Sequence, residues 1–218
     1  VQHIGQLEYE AGRKAGQRLI EAGLKVGYCL RVEDNVALTD RCLGFAGAIE
    51  AAENVTFGGV YDVPRDNGMQ FLQVVEDAVN EEGDWEGVGL LFTGPIQPAL
   101  YVQGRHQRLI LATFDVRDDL FEPLDSGRLL FTVDQQQYLQ GSVPVYLLTY
   151  AAQTKQTLLN TALETGPELV YFSPPQALRT CEETEFAVCT KVPQENYHYI
   201  AKHWKIWSYC AIALQGFA

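Results

Sequence analysis

Short apolar runs alternate with longer stretches of helical periodicity along this chain. Residues 8–22 carry Ala11, Ala15, Leu19 and Ala22 at helical spacing, and Gly23 stops the pattern. Residues 25–30 read as a strand. Asn35 or Asp34 can cap a helix over 36–52, with Val36, Phe45, Ile49 and Ala52 among its apolar positions. A strand over 55–61 follows, then a helix that begins at Asp66 or Asn67 and includes Phe71, Val74, Val75 and Ala78. The alternation continues with a strand at 87–92, a helix at 97–104, a strand at 108–114 and a short helix at 118–126. A strand at 129–133, a helix at 139–152 and a last strand at 168–172 complete it.

Repeated strand–helix units of this length predict parallel strands joined by right-handed helical crossovers. The strands are continuous apolar runs, as expected when helices cover both faces of the sheet. The fold class is therefore α/β, a three-layer lobe with a parallel sheet. After Pro174-Pro175 the rhythm ends. Residues 174–218 gather Tyr197, Tyr199, Trp204, Trp207 and Tyr209 without a strand–helix pattern, and read as an irregular appended or juxtamembrane tail.

One junction carries candidate chemistry. The apolar run Leu129-Leu130-Phe131-Thr132-Val133 stops at Asp134-Gln135-Gln136-Gln137. In open α/β sheets small molecules bind where strands end. Carboxylates accept and amides both donate and accept, which suits a ligand rich in hydroxyl groups.

Composition narrows the classes. Nearly half of the 218 residues are hydrophobic (47%), enough for a sizeable core. A formal charge of −12 argues against nucleic acid and against docking on anionic lipid. The chain opens with Val1 rather than Met, so a processed, excised or incomplete sequence is expected. The apolar stretch from Trp207 to Ala218 is shorter than the roughly 20 residues a membrane span takes, though it could begin a longer segment. The five cysteines show no metal-ligand spacing. Cys29 and Cys42 could meet in a disulfide, Cys181 and Cys189 could close a polar loop, and Cys210 is left over; an oxidising compartment is the expectation. Asn54-Val55-Thr56 is a glycosylation sequon, meaningful in a secreted eukaryotic chain. No nucleophile elbow, phosphate loop or dinucleotide fingerprint is present, Gly12-Arg13-Lys14-Ala15-Gly16 lies inside a helix, and His3 and His106 are isolated. No enzyme chemistry and no cofactor are called for.

Four pieces in order resemble the type 1 periplasmic binding proteins, the family of the ribose-binding protein and of lac-repressor-like effector domains. His3-Ile4-Gly5-Gln6 with Glu10-Ala11-Gly12 resembles the hinge strand and first helix of that family's second lobe. Asp40-Arg41-Cys42-Leu43-Gly44-Phe45 resembles its Arg-x-x-Gly-Phe helix, and Thr113-Phe114-Asp115 its Gly-Phe-Asp strand end. Ser126-Gly127-Arg128 through Asp134-Gln135 resembles the strand that returns to the first lobe and ends in a ligand-binding Gln. The resemblance covers residues 3–173. It implies ligand contacts from Arg41, Asp115 and Gln135, with Asp134 as a neighbour; Asp115 could also cap the following helix. Departures are Thr93-Gly94-Pro95, where the family often has an Asn and Thr93 would have to substitute, and Leu7 beside Gln6 in place of an Asp. Tyr61 is the candidate aromatic for stacking on a sugar ring.

The resemblance implies domains at 1–173 and 174–218. Within the first, residues 1–125 would form the second lobe, 128–152 a strand and helix returning toward a first lobe, and 166–173 a final strand. Most of that first lobe is not in the sequence, so 128–152 is expected to lack a sheet to join, to expose Val145, Leu147 and Leu148, and to offer a surface for self-association. The function implied is non-catalytic binding of a small sugar-like ligand in a hinged cleft, for uptake with a membrane transporter or for sensing, in the periplasm or outside the cell. The alternatives are a receptor ectodomain leading into a membrane segment and signalling module and, less favoured, an enzyme on a related fold. A transcription regulator is disfavoured by the acidity and by the missing helix-turn-helix.

Overall fold

Six strands form one sheet in the order β3–β2–β4–β5–β6–β8, in a computed structural model that describes residues 3–32, 35–63, 73, 74, 76, 77, 86–94, 96–105, 108–156 and 162–171. The strands are β2 (Val26–Val32), β3 (Thr56–Val63), β4 (Val88–Phe92), β5 (Ile110–Phe114), β6 (Phe131–Asp134) and β8 (Glu168–Val170). A separate parallel pair joins β1 (Ile4–Gly5) to β7 (Leu163–Glu164). The helices are α1 (Glu8–Glu21), α2 (Val36–Glu50), α3 (Gln97–Arg105), α4 (Phe121–Asp125, after a 3-10 turn at Asp118–Leu120) and α5 (Gln137–Thr154). Positions 73, 74, 76 and 77 are helical within the predicted 66–78 helix; the rest of it, with Asp66 and Asn67, lies outside the described residues.

The chain divides into two units, Val1–Tyr171 and Phe172–Ala218. The second lies outside the described residues, and with it the aromatic tail, Cys181, Cys189 and Cys210; Pro95 and His106 are likewise outside. No helix among the described residues is long and apolar enough to cross a membrane.

Two expectations are corrected. The strand at 129–133 is not orphaned. Phe131, Thr132 and Val133 are all fully buried, because a run apolar on both faces needs cover on both, and β5 offers a free edge beside such cover. β6 lies parallel to β5 with Ala112 opposite Phe131 and Phe114 opposite Val133. The last strand is not parallel: β8 runs antiparallel to β6 and takes up its other edge, with Asp134 opposite Glu168.

The expected exposure holds for Val145 and Leu148 in the helix half of the return, whereas Leu147 is half-buried. α5 has no buried residue and no charged one, and Val145, Tyr146, Leu148 and Tyr150 are each more than half exposed. Any self-association through 128–152 would therefore fall to α5, since β6 is already spent inside its own sheet.

The core beneath α1 and α2 joins Ala11, Ala15, Leu19, Cys42, Phe45 and Ile49 to Cys29, Leu91, Ala112, Phe114, Phe131 and Val133 from the sheet. Strand alternation puts Tyr28, Leu30, Leu90 and Leu111 on the other face, where they are also buried. α1 and α2 approach until backbones touch. A Cβ on Gly12 would stand 1.8 Å from the Arg41 carbonyl oxygen, and one on Gly44 1.9 Å from that of Tyr9. Only glycine permits this spacing. Cys29 of β2 and Cys42 of α2 form a buried disulfide with Cα atoms 5.6 Å apart. Asn35 caps α2, its side-chain oxygen accepting from the Leu38 N–H.

Candidate ligand-binding site

Parallel strands end on a common edge, and the polar residues of this chain gather there. β5 ends at Phe114, and Asp115 follows with a φ of 71°. That left-handed backbone is uncommon outside glycine, and Asp tolerates it better than most. It does not lead into a helix cap: the cap position of the next turn is Arg117, so the expected capping role of Asp115 is not found. The Asp115 carboxylate instead accepts from two amides, Gln135 Nε2 and, at 2.9 Å, Gln137 Nε2. Its backbone is pinned from β6, the N–H donating to the Val133 carbonyl and the carbonyl accepting from Thr132 Oγ1 at 2.7 Å.

β6 delivers the next two groups. Asp134 is buried, and its Oδ1 accepts from the Gln136 N–H at 2.7 Å. Burial pushes this carboxyl above the usual carboxylate range, and the nearby charge of Asp115 adds to it; the Gln136 N–H works the other way. Gln135 is held through its carbonyl, which accepts from Gln140 Nε2 at 2.9 Å and from Thr165 Oγ1 at 3.1 Å. Gln136 then turns through a φ of 56° to start α5.

Arg41 arrives from α2. Its side chain is 5% exposed and its Nε donates to Glu8 Oε2 at 2.6 Å. The guanidinium carbon lies 4.2 Å above the Phe114 ring centre, a cation–π contact. Phe114 precedes Asp115, so the Arg41 and Asp115 clusters adjoin. The Nη groups of Arg41 make no hydrogen bond among the described residues. Gln6 Nε2 donates to the same Glu8 oxygen at 2.7 Å, while Gln6 Oε1 is buried and unsatisfied.

The structure thus brings Arg41, Asp115, Gln135 and Asp134 to one edge. The other two candidates come from neighbouring strands, Thr93 after β4, which pairs with β5, and Tyr61 in β3. Thr93, after β4, donates from both N–H and Oγ1 to the Leu30 carbonyl, at 2.9 and 3.0 Å. Tyr61 pairs in register with Leu30 and packs against Tyr28 at 5.7 Å between ring centres, on the sheet face opposite Phe114. Sequence reasoning missed Glu8, and named Gln137 only as part of the polar block after β6. Glu8 reads as an acid complementing a helix start; the signal that a buried Arg needs a carboxylate becomes usable only once Arg41 is known to be buried. Among the described residues no cluster of His, Cys, Asp and Glu is grouped to hold a metal ion.

No family model matches the chain, and no curated protein matches it. Solved structures do. AraP, an arabinose binding protein from Geobacillus stearothermophilus, is 16% identical, with 77% of this chain and 62% of that chain covered and a TM-score of 0.68. A carbohydrate transporter protein from Acidothermus cellulolyticus 11B, in complex with myo-inositol, is 22% identical over 78% of this chain and 59% of that one, TM-score 0.67. A protein from Bacteroides fragilis assigned to the LacI transcriptional regulators is 16% identical over 77% and 61%, TM-score 0.64. The chain spans about three fifths of the length of the solved structures it matches. Over its matched part, this chain has the type 1 periplasmic-binding-protein fold.

Proposed function

We propose that the strand-end edge is one wall of a site for a small polyhydroxylated ligand, a sugar or sugar-like polyol, bound without catalysis. The observation that carries the reading is the Asp115 carboxylate, fixed in a left-handed turn between two amide donors and beside an Arg whose outer nitrogens have no hydrogen-bond partner among the described residues. A carboxylate accepting from hydroxyls and a planar fork donating to them is the chemistry polyol recognition requires. Several solved structures of this fold carry such ligands, D-arabinose, myo-inositol and D-allose. Uptake with a membrane transporter, or sensing by a receptor, at an extracytoplasmic location accompanies the reading; the Cys29–Cys42 disulfide favours an oxidising compartment. A cleft closed by a facing lobe would supply the remaining contacts.

Calorimetric titration of the protein with a panel of aldopentoses, aldohexoses and inositols tests this. Saturable binding is expected, weakened roughly ten- to hundredfold in Asp115→Asn and in Gln135→Ala, since a hydrogen bond to a charged group contributes about 1.5–3 kcal/mol. Absence of binding to every member, or an affinity indifferent to both substitutions, would sink the reading.

A further inference from the structure

We infer that Glu8 sets the charge selectivity of this edge: by holding Arg41 in an ion pair it makes the guanidinium a donor to neutral hydroxyls and turns away sugar acids and sugar phosphates. The inference rests on the polyol-binding reading above and adds a ligand class to it.

An unpaired Arg at a strand-end cleft is an anion trap, because its fork matches carboxylate and phosphate geometry. Here that charge is already answered. Glu8 Oε2 lies 2.6 Å from Arg41 Nε, and the Gln6 amide grips the same oxygen at 2.7 Å. The pair is well out of solvent, with side-chain exposures of 5% for Arg41 and 20% for Glu8, so screening is weak. Two other cations described near these strand ends are also engaged: Arg31 with Asp62 at 2.5 Å and with Thr39 at 2.6 Å, and Arg117 with Asp119 at 2.9 Å. Asp115 brings a second negative charge, and the groups donating to it are neutral amides. An anionic ligand would meet one balanced cation and one unbalanced carboxylate; a neutral polyol would find donors and acceptors alone.

Backbone packing enforces the pairing. Glu8 opens α1, where no side chain caps the helix and acidic groups are favoured. The glycine contacts at Gly12 and Gly44 bring that end of α1 against the turn of α2 that carries Arg41.

The test titrates D-galactose against D-galacturonate and D-glucose against D-glucuronate, with wild type, Glu8→Gln and Glu8→Asp. Close charge pairs couple strongly enough for tenfold effects. Wild type should take the neutral sugar at least about tenfold more tightly than its matched acid. Glu8→Gln should narrow that ratio by about tenfold, and Glu8→Asp, which keeps the charge, should largely retain it. Equal affinity of wild type for sugar and acid overturns the inference, even where a Glu8 variant does not fold. So does a Glu8→Gln variant that weakens both ligands alike, which marks Glu8 as structural only. A wild type that binds neither member of either pair but does bind another neutral polyol leaves the site reading standing, and the comparison then moves to that polyol against its own carboxylate and phosphate derivatives; a derivative bound as tightly as the polyol overturns the inference, and one bound at least about tenfold more weakly supports it. Binding of no polyol at all removes the site reading and this inference with it.

Discussion

Gly12 of α1 sits directly under the carbonyl of Arg41 on α2, so close that a Cβ there would be 1.8 Å from the oxygen. This contact orders the site, because the two helices that meet at it carry Glu8 and Arg41. Intrinsic propensity alone would make Gly12→Ala stabilising by about 1 kcal/mol in a helix interior. The structure predicts the opposite sign. Ala must push α2 away, at a cost typical of overpacking, about 1–3 kcal/mol. Chemical denaturation of wild type and Gly12→Ala gives the sign. Polyol affinity should fall in parallel, because Arg41 moves with its backbone.

The placement of residues 128–152 yields a second, internal contrast. Phe131 is fully buried in β6, whereas Leu148 on α5 is 63% exposed. Phe131→Ala should cost about 3–5 kcal/mol, the range for emptying a core aromatic site. Leu148→Lys should stay within about 0.5 kcal/mol of wild type, as surface changes do. Equilibrium unfolding in urea measures both. A large penalty at Leu148 would mean that α5 is covered in the folded protein.

Much of this architecture was legible because strands covered on both faces leave unbroken apolar runs. Val88 to Phe92 and Ile110 to Phe114 announced themselves, and the polar groups after them could be placed at strand ends. The same runs do not say which edge a strand joins. The strand at 129–133 read as unpaired because the resemblance assigned it to a lobe outside the sequence, and Glu168 to Val170, three residues after the turn signal Gly166-Pro167, gave no hint of running antiparallel. At the site, Gln135 was legible as an amide abruptly following an apolar run, and Asp115 through the family resemblance. Glu8 was not, since a carboxylate in the first turn of a helix has an ordinary local explanation. Its role depends on a glycine-mediated helix approach between residues more than thirty positions apart, the Glu8–Arg41 bond closing across 33.

Asp134 makes stability depend on pH in an uncommon direction for a carboxylate. Its folded-state value is raised above the ordinary 3.8, chiefly by burial, with the Asp115 charge adding and the Gln136 N–H opposing. A raised value means the folded protein holds this proton more tightly than the unfolded chain does. The contribution is therefore fully present below pH 3.8 and is lost as pH rises through the folded value, where ionised Asp134 is buried beside another carboxylate. Asp134→Asn removes the titration and keeps an oxygen to accept from the Gln136 N–H. The stability difference between Asp134→Asn and wild type should therefore shift in favour of the variant on going upward from pH 3.8. Thermal unfolding of both proteins across a pH series measures that difference; groups not in contact with Asp134 titrate alike in the two and cancel, and Asp115 is coupled to it. A difference that stays flat, or moves toward wild type with rising pH, would show that the Gln136 N–H outweighs burial and that Asp134 is already comfortably ionised in the fold.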